Sequence, residues 1–178
     1  MPGGVLILGG QRSGKSRYGE ALVAASGRAM VYLATAAAGD DEMAARIAEH
    51  RARRGANWWT IEEPLELVAM LAAVAAAESA VLVDCLTLWL ANLMAADRNV
   101  DEETDRLVGV LAGAAGPVVL ISNEVGSGIV PANPLARRFA DAHGILNQRV
   151  AAAVDRVVLM AAGLPVLVKP QKTPEIAL

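Results

Sequence analysis

The chain has 178 residues, a formal net charge of -3, and 54% hydrophobic residues of which few are aromatic, only 3% of the chain. A chain of that length predicts a single domain over 1–178 that hides about 70% of its unfolded surface, with no need of disulfides or a structural metal. The lone Cys85 excludes an intramolecular disulfide and a cysteine-based zinc cluster, and mild acidity without an extended basic tail excludes non-specific nucleic-acid binding as the main task.

The mean hydropathy of +0.39 raises the question of a membrane. The most apolar stretch, 67–77, is bounded by Glu66 and Glu78 and is far shorter than the ~20 residues a span requires. Residues 1–10 carry no positive n-region and do not read as a secretory signal. A cytoplasmic protein with no stable membrane insertion is expected.

Short β-branched and leucine runs alternate with helical patterns, the signature of βα units on a buried parallel sheet. A strand is predicted at 5–8, a helix at 15–25 and a strand at 30–34. A helix follows at 41–53 behind Asp40, a suitable N-cap, with Asp41 and Glu42 in the first turn where the helix dipole favours carboxylates. A weaker extended piece covers 58–61, and Pro64 opens a helix through 77. Then come a strand at 80–83, helices at 86–94 and 102–112, and a strand at 118–122. Two helices, 135–140 and 145–154, are separated by a turn at His143-Gly144, and strands at 157–161 and 166–168 end the pattern. The sum is an α/β chain: a three-layer P-loop NTPase fold with a mostly parallel central sheet.

The segment Gly9-Gly10-Gln11-Arg12-Ser13-Gly14-Lys15-Ser16 matches GxxxxGK[ST] between an apolar strand and a helix, the context that makes the motif credible. Glycines let the backbone wrap a phosphate so that several N–H groups point inward, and the helix N-terminus adds partial positive charge. Lys15 is expected to bridge the terminal phosphates and Ser16 to ligate Mg²⁺. A second acidic anchor, Asp84, stands at the carboxyl edge of the 80–83 strand, where open α/β sheets bind ligands. It either holds Mg²⁺ or caps the helix beginning at Leu86, and the two roles are compatible. Cys85 reads as a small inert hydrophobe.

Of the two histidines, His143 reads as a structural turn residue. His50 shares a helix face with Met43 and Ile47 and is flanked by Arg46, Arg53 and Arg54. Nearby cations keep an imidazole neutral and nucleophilic, and would gather phosphate oxygens. The competing reading is an amphipathic helix whose Glu42-Arg46 and Glu49-Arg53 pairs form a solvated face. Spacing alone favours that second reading, because surface charge runs are common.

Further segments sharpen the picture. In order they are Tyr32-Leu-Ala-Thr35, Asp40-Asp-Glu-Met-Ala-Ala-Arg-Ile47 with His50, Trp59-Thr-Ile-Glu62, Asp84-Cys-Leu-Thr87, Asn92-Leu93, Ser122-Asn-Glu-Val-Gly126 with Gly128-Ile-Val-Pro131, and Asn147-Gln-Arg149. With the phosphate loop they resemble the bifunctional adenosylcobinamide kinase/adenosylcobinamide-phosphate guanylyltransferase family of cobalamin biosynthesis, from Val5 to about Lys169. The resemblance implies two reactions. ATP or GTP phosphorylates the hydroxyl of the aminopropanol arm of adenosylcobinamide. GTP then gives GMP to a histidine with loss of pyrophosphate, and the GMP passes to adenosylcobinamide phosphate, making adenosylcobinamide-GDP.

By the same resemblance His50 is the guanylylated residue. Nucleotide contacts extend from the phosphate loop to Ala34, Thr35, Ala36, Arg51, Ala52, Arg53, Arg54, Glu62 and Asp84. Some relatives carry a histidine directly before the nucleophile, where this chain has Glu49. A homo-oligomer, a trimer, is also implied. Asn123 and Glu124 read as substrate-orienting or loop-bracing residues, Asn147, Gln148 and Arg149 as substrate or subunit contacts, and Trp58 and Trp59 as covers for a base or corrinoid, or as core. The competing functions are another small-molecule P-loop kinase without a covalent intermediate, and a regulatory NTP-binding module.

Overall fold

The computed structural model describes residues 3–36 and 55–171. Seven strands form one sheet: β1 (Gly4–Gly9), β2 (Ala29–Ala34), β3 (Trp58–Glu62), β4 (Ser79–Asp84), β5 (Val118–Ile121), β6 (Arg156–Ala161) and β7 (Leu164–Lys169). Their spatial order is β3-β2-β4-β5-β1-β6-β7, and every neighbouring pair is parallel except β6 with β7.

Period-two alternation sends successive side chains of each strand into two separate cores. Leu6, Val81, Val83, Leu120 and Val157 face one side, while Ile7, Leu82, Val119, Ile121 and Val158 face the other. The second side is covered by helix α1 (Lys15–Ala25), through Tyr18, Leu22 and Val23. The first is covered by α2 (Leu67–Val74), α3 (Leu86–Ala95), α4 (Val100–Gly113) and α5 (Pro134–Ala153). Helices on both faces of a largely parallel sheet make the three layers expected. Trp89 of α3 is fully buried and donates its indole N–H to Leu65 O at 3.0 Å, so the largest core side chain leaves no polar atom unpaired.

The elements follow the pattern read from the chain, with four differences. The helix expected over 64–77 is confined to Leu67–Val74. At its start the Glu63 carboxylate accepts the Leu65 and Glu66 N–H groups, and at its end Ser79 Oγ donates to Val74 O and Ala76 O. Helix α4 begins at Val100 rather than 102, because Asn99 Oδ1 caps it by accepting from the N–H groups of Asp101 and Glu102.

The turn expected at His143-Gly144 does not exist: α5 runs unbroken from Asn133, its N-cap, to Ala153. A helical glycine costs only about 1 kcal/mol relative to alanine. Burial of His143, Leu146, Asn147 and Val150 along one face outweighs that cost. Finally, the last strand is longer than 166–168 and pairs with β6 as a hairpin. Its two-residue turn, Ala162-Gly163, has φ of 51° and 82°, positive at both positions as type I′ requires. Ala-Gly is a weak signal for that turn, so the sequence does not announce it. The helix expected at 41–53, with His50 and Arg51, Ala52, Arg53 and Arg54, lies outside the described residues.

Candidate active site

The carboxyl ends of β1, β2, β4 and β5 open on one edge of the sheet, and the loops leaving them build the site. The loop after β1 is held in shape by backbone conformations that ordinary residues resist. Gly9 has φ of 152°, and a Cβ there would lie 2.7 Å from both Met160 O and Ser13 Oγ. Gly14, with φ of 97°, occupies the N-cap of α1 and provides no side-chain cap. The first N–H groups of α1 are thus left for an external acceptor, which is how a helix N-terminus takes an anion. Neighbouring loops pin this one: Glu124 N–H donates to Gly9 O at 3.0 Å and Gly163 N–H to Ser13 O at 3.2 Å.

Lys15 is 7% exposed, and its ammonium donates to Gly10 O at 2.7 Å. Burial lowers its pKa, and its electrostatic interactions with Cys85 and Asp84 oppose that shift. Ser13 Oγ is buried with no hydrogen-bond partner among the described residues. A buried cation, an unpartnered hydroxyl and a bare helix N-terminus belong to one loop, a combination that suits an oxyanion.

Asp84 ends β4, two strands along the sheet from β1. Its carboxylate accepts from the Tyr32 hydroxyl at 2.9 Å. It does not cap α3, because Cys85 holds the N-cap position without a side-chain cap bond. The Asp84-Cys85 peptide is cis. Cys85 is 8% exposed, and burial, reinforced by the Asp84 charge, pushes its thiol up to about 11, so it is the inert residue expected. Among the described residues no group of three or more His, Cys, Asp or Glu side chains can hold a metal by itself. A Ser16 hydroxyl and an Asp84 carboxylate are nevertheless the donor set that suits Mg²⁺ shared with phosphate oxygens, since that ion keeps few protein ligands.

The other predicted positions fall into distinct places. Ala34 and Glu62 end the paired strands β2 and β3, opposite each other in register. Thr35 is fully buried, and its hydroxyl braces the β4–α3 junction, donating to Cys85 O at 2.7 Å and accepting from Cys85 N–H at 2.8 Å. Ala36 lies beside it, and Asn92 Nδ2 ties Thr35 O to Pro64 O. Gln11 and Arg12 stand at the exposed tip of the phosphate loop, Arg12 with φ of 56°. Trp58 packs edge-on against Tyr32 at 6.0 Å, whereas Trp59 is 61% exposed on the edge strand rather than in the core.

Two expectations about polar side chains are corrected. Asn147 is not an accessible substrate or subunit contact, because it is buried, whereas Gln148 is exposed and Arg149, part-exposed, forms ion pairs with Asp101 and Asp105 of α4. His143 is not in a turn but is 1% exposed, beside Thr87, Ser122 and Asn147. The available signal was the i, i+4 spacing of His143 and Asn147 on an otherwise apolar helix face.

A phosphate cradle at the start of a helix, on a parallel sheet with an acidic residue ending a nearby strand, defines a P-loop nucleotide-binding protein. Solved structures of the same fold include the RadB recombinase (TM-score 0.55, 18% identity, 88% of this chain and 73% of that one). They also include the flagellar accessory protein FlaH from Methanocaldococcus jannaschii (TM-score 0.54, 11% identity, 94% of this chain and 78% of that one). Within this class the chain belongs to the family described as cobinamide kinase / cobinamide phosphate guanyltransferase, whose model matches residues 5–168. It is similar to the bifunctional adenosylcobalamin biosynthesis protein CobP of Pseudomonas aeruginosa, 52% identical over 92% of this chain and 96% of that protein. It is also similar to CobU of Salmonella typhimurium, 41% identical over 93% of this chain and 99% of that protein.

Proposed function

We propose that this chain performs both reactions named by its family at the one phosphate loop. The observation that supports a shared site is the cradle itself, where Lys15, the orphaned Ser13 Oγ and the bare N-terminus of α1 meet around a single anion position. In the kinase step the adenosylcobinamide hydroxyl attacks the γ-phosphorus of ATP or GTP; its proton leaves, the bond to the β-phosphate oxygen breaks, and the nucleoside diphosphate departs. In the second step an imidazole nitrogen of His50 attacks the α-phosphorus of GTP, pyrophosphate leaves, and a phosphoramidate forms. The phosphate of adenosylcobinamide phosphate then displaces the histidine to give adenosylcobinamide-GDP.

Phosphoryl transfer asks the protein mainly for position and charge neutralisation. Lys15 needs only to exchange the Gly10 carbonyl for a phosphate oxygen. Ser16 and Asp84 would hold Mg²⁺, which when bound neutralises charge on the phosphate oxygens. Ala34, Thr35 and Ala36 lie about 14 Å from the phosphate loop, three strand spacings along the edge, and Glu62 about 19 Å away, one spacing further. Their contacts, with those of Arg51, Ala52, Arg53 and Arg54, would serve parts of the nucleotide away from the cradle. The corrinoid is bound at the open edge of this single domain or between subunits of a trimer, in the cytoplasm. Among the described residues no helix is long and apolar enough to cross a membrane.

The test uses GTP labelled at the α-phosphorus, with Mg²⁺. An acid-labile, base-stable label on the protein that disappears in His50→Ala is the expected result, and undiminished labelling in that variant would sink the assignment. Lys15→Ala should abolish both transfers, and a full kinase rate in that variant contradicts a shared site.

A further inference from the structure

Behind the phosphate cradle lies a buried polar cluster that joins three elements. His143 of α5 stacks on Phe139 at 5.6 Å. Its Nε2 is 3.0 Å from Thr87 Oγ1 in the first turn of α3 and 3.3 Å from Ser122 Oγ at the end of β5. Its Nδ1 is 3.3 Å from Asn147 Nδ2, one helical turn on. All four side chains are nearly inaccessible, Asn147 the most open at 9%. Polar groups so buried must find partners, and they do so around one peptide: Asn123 N–H donates to Thr87 Oγ1 at 2.9 Å, and Asn123 O accepts from Asn147 Nδ2 at 3.2 Å.

Counting protons fixes the state of the ring. Ser122 Oγ donates to Asn147 Oδ1 at 2.6 Å, so the Asn147 amide points its NH₂ toward both Asn123 O and the imidazole. An amide NH₂ has no acceptor to offer, so Nδ1 must accept and the ring proton sits on Nε2. There it meets Thr87 Oγ1, which keeps a second lone pair beside the one taken by Asn123 N–H, and Ser122 Oγ, whose own proton goes to Asn147. From this geometry we infer that His143 is a positioning residue for the transfer reactions: neutral and protonated at Nε2, it orients Thr87 and Asn147 so that they grip both sides of the Asn123 peptide. That grip continues into the cradle, because the next residue, Glu124, donates its N–H to Gly9 O at 3.0 Å, and Ser122 N–H is bonded to Ile7 O.

The opposite tautomer, or the imidazolium, sets an N–H against the Asn147 NH₂. Asn147 would then have to turn over, presenting its own carbonyl to Asn123 O and its NH₂ to Ser122. Burial independently disfavours the charged ring, although the nearby Glu124 carboxylate acts the other way. His143 touches no part of the proposed nucleotide position, so its effect runs through where Asn123 and Glu124 stand.

The test has two arms. The first is ¹⁵N NMR of histidine-labelled full-length protein. The chain has two histidines, so the spectrum of His50→Ala assigns the other. A His143 ring with a pyrrole-type Nε2 and a pyridine-type Nδ1 at neutral pH is expected. The Nδ1–H tautomer, or a protonated ring, overturns the inference. This arm does not depend on what the enzyme transfers. The second arm rests on the proposed function and compares His143→Leu with His143→Gln, which restores a side-chain N–H donor. The phosphoryl-transfer kcat of His143→Leu should fall roughly tenfold to a hundredfold, the scale of a small misplacement near reacting groups. Nucleotide Kd should stay within about twofold, and His143→Gln should recover part of the loss. An unchanged kcat in a folded His143→Leu, or a loss carried by nucleotide Kd alone, refutes the positioning role. Should His143→Leu fail to fold, the NMR result still decides, and if the parent enzyme shows no transfer it is the proposed function that has failed.

Discussion

The bond between Tyr32 and Asp84 offers a clean perturbation, because Tyr32→Phe removes one oxygen and leaves the ring in its packing against Trp58. Tyr32 is 4% exposed while Asp84 is only half-buried. Hydrogen bonds to charged groups contribute about 1.5–3 kcal/mol. Water can partly replace the lost donor at the accessible carboxylate, which places the expected loss near the lower end, about 1–2 kcal/mol. For a chain of this size each kcal/mol moves the midpoint by about 2–4 °C, so calorimetry should show Tm lowered by about 2–8 °C. With its orienting partner gone, the carboxylate should also need several-fold more Mg²⁺ to support nucleotide binding, read by titration calorimetry at fixed nucleotide. A variant that melts within about 1 °C of the parent and binds with an unaltered Mg²⁺ requirement would refute the idea that this bond holds the acid in place.

Gly9→Ala should reduce nucleotide affinity at least tenfold with the far-ultraviolet dichroism retained: a Cβ at φ of 152° meets Met160 O and Ser13 Oγ at 2.7 Å, and the loop must move away. Asn99→Ala removes the cap of α4 and should cost about 1 kcal/mol in urea denaturation, leaving nucleotide affinity unchanged because α4 lies away from the cradle. The lowered pKa of His143, caused by burial against the opposing pull of Glu124, makes stability sensitive to acid. As pH falls through about 6.5 the unfolded chain takes up the proton first, so this contribution is complete above that value and diminishes below it, down to the folded pKa. Urea midpoints at pH 5.5 and 7.5 should differ in that direction, and by less in His143→Leu.

The strands were legible because they are buried on both faces, and unbroken apolar runs such as Val81-Leu82-Val83 have no other stable place. The phosphate loop was legible because glycines at positive φ and a following Lys-Ser pair have a local meaning that does not depend on the rest of the chain. What escaped were features made by distant residues. The His143 cluster unites side chains from α3, β5 and α5, and no local pattern reports that Thr87 and Ser122 will close around one imidazole. Gly144 signals a break by local propensity, which the burial of His143, Leu146 and Asn147 on either side of it overrides. Thr35 read as a nucleotide contact by resemblance, and its hydroxyl turns out to brace the backbone at Cys85, which residue type alone does not disclose.

The position of β1 has a consequence for how the chain acquires its site. Its hydrogen-bonding neighbours are β5 and β6, and Gly4 and Val5 pair with Val118, Val119 and Arg156, all more than a hundred positions later in the chain. A strand whose partners are so distant gains no ladder until β5 and β6 exist, and long loop closures of this kind slow folding. During synthesis the phosphate loop therefore precedes its walls, which form only when β5 delivers Glu124 to Gly9 and the β6–β7 turn delivers Gly163 to Ser13. Nucleotide thus becomes a ligand only once the chain through Gly163 has folded around the loop, and by mass action its binding stabilises that assembled state over partial ones.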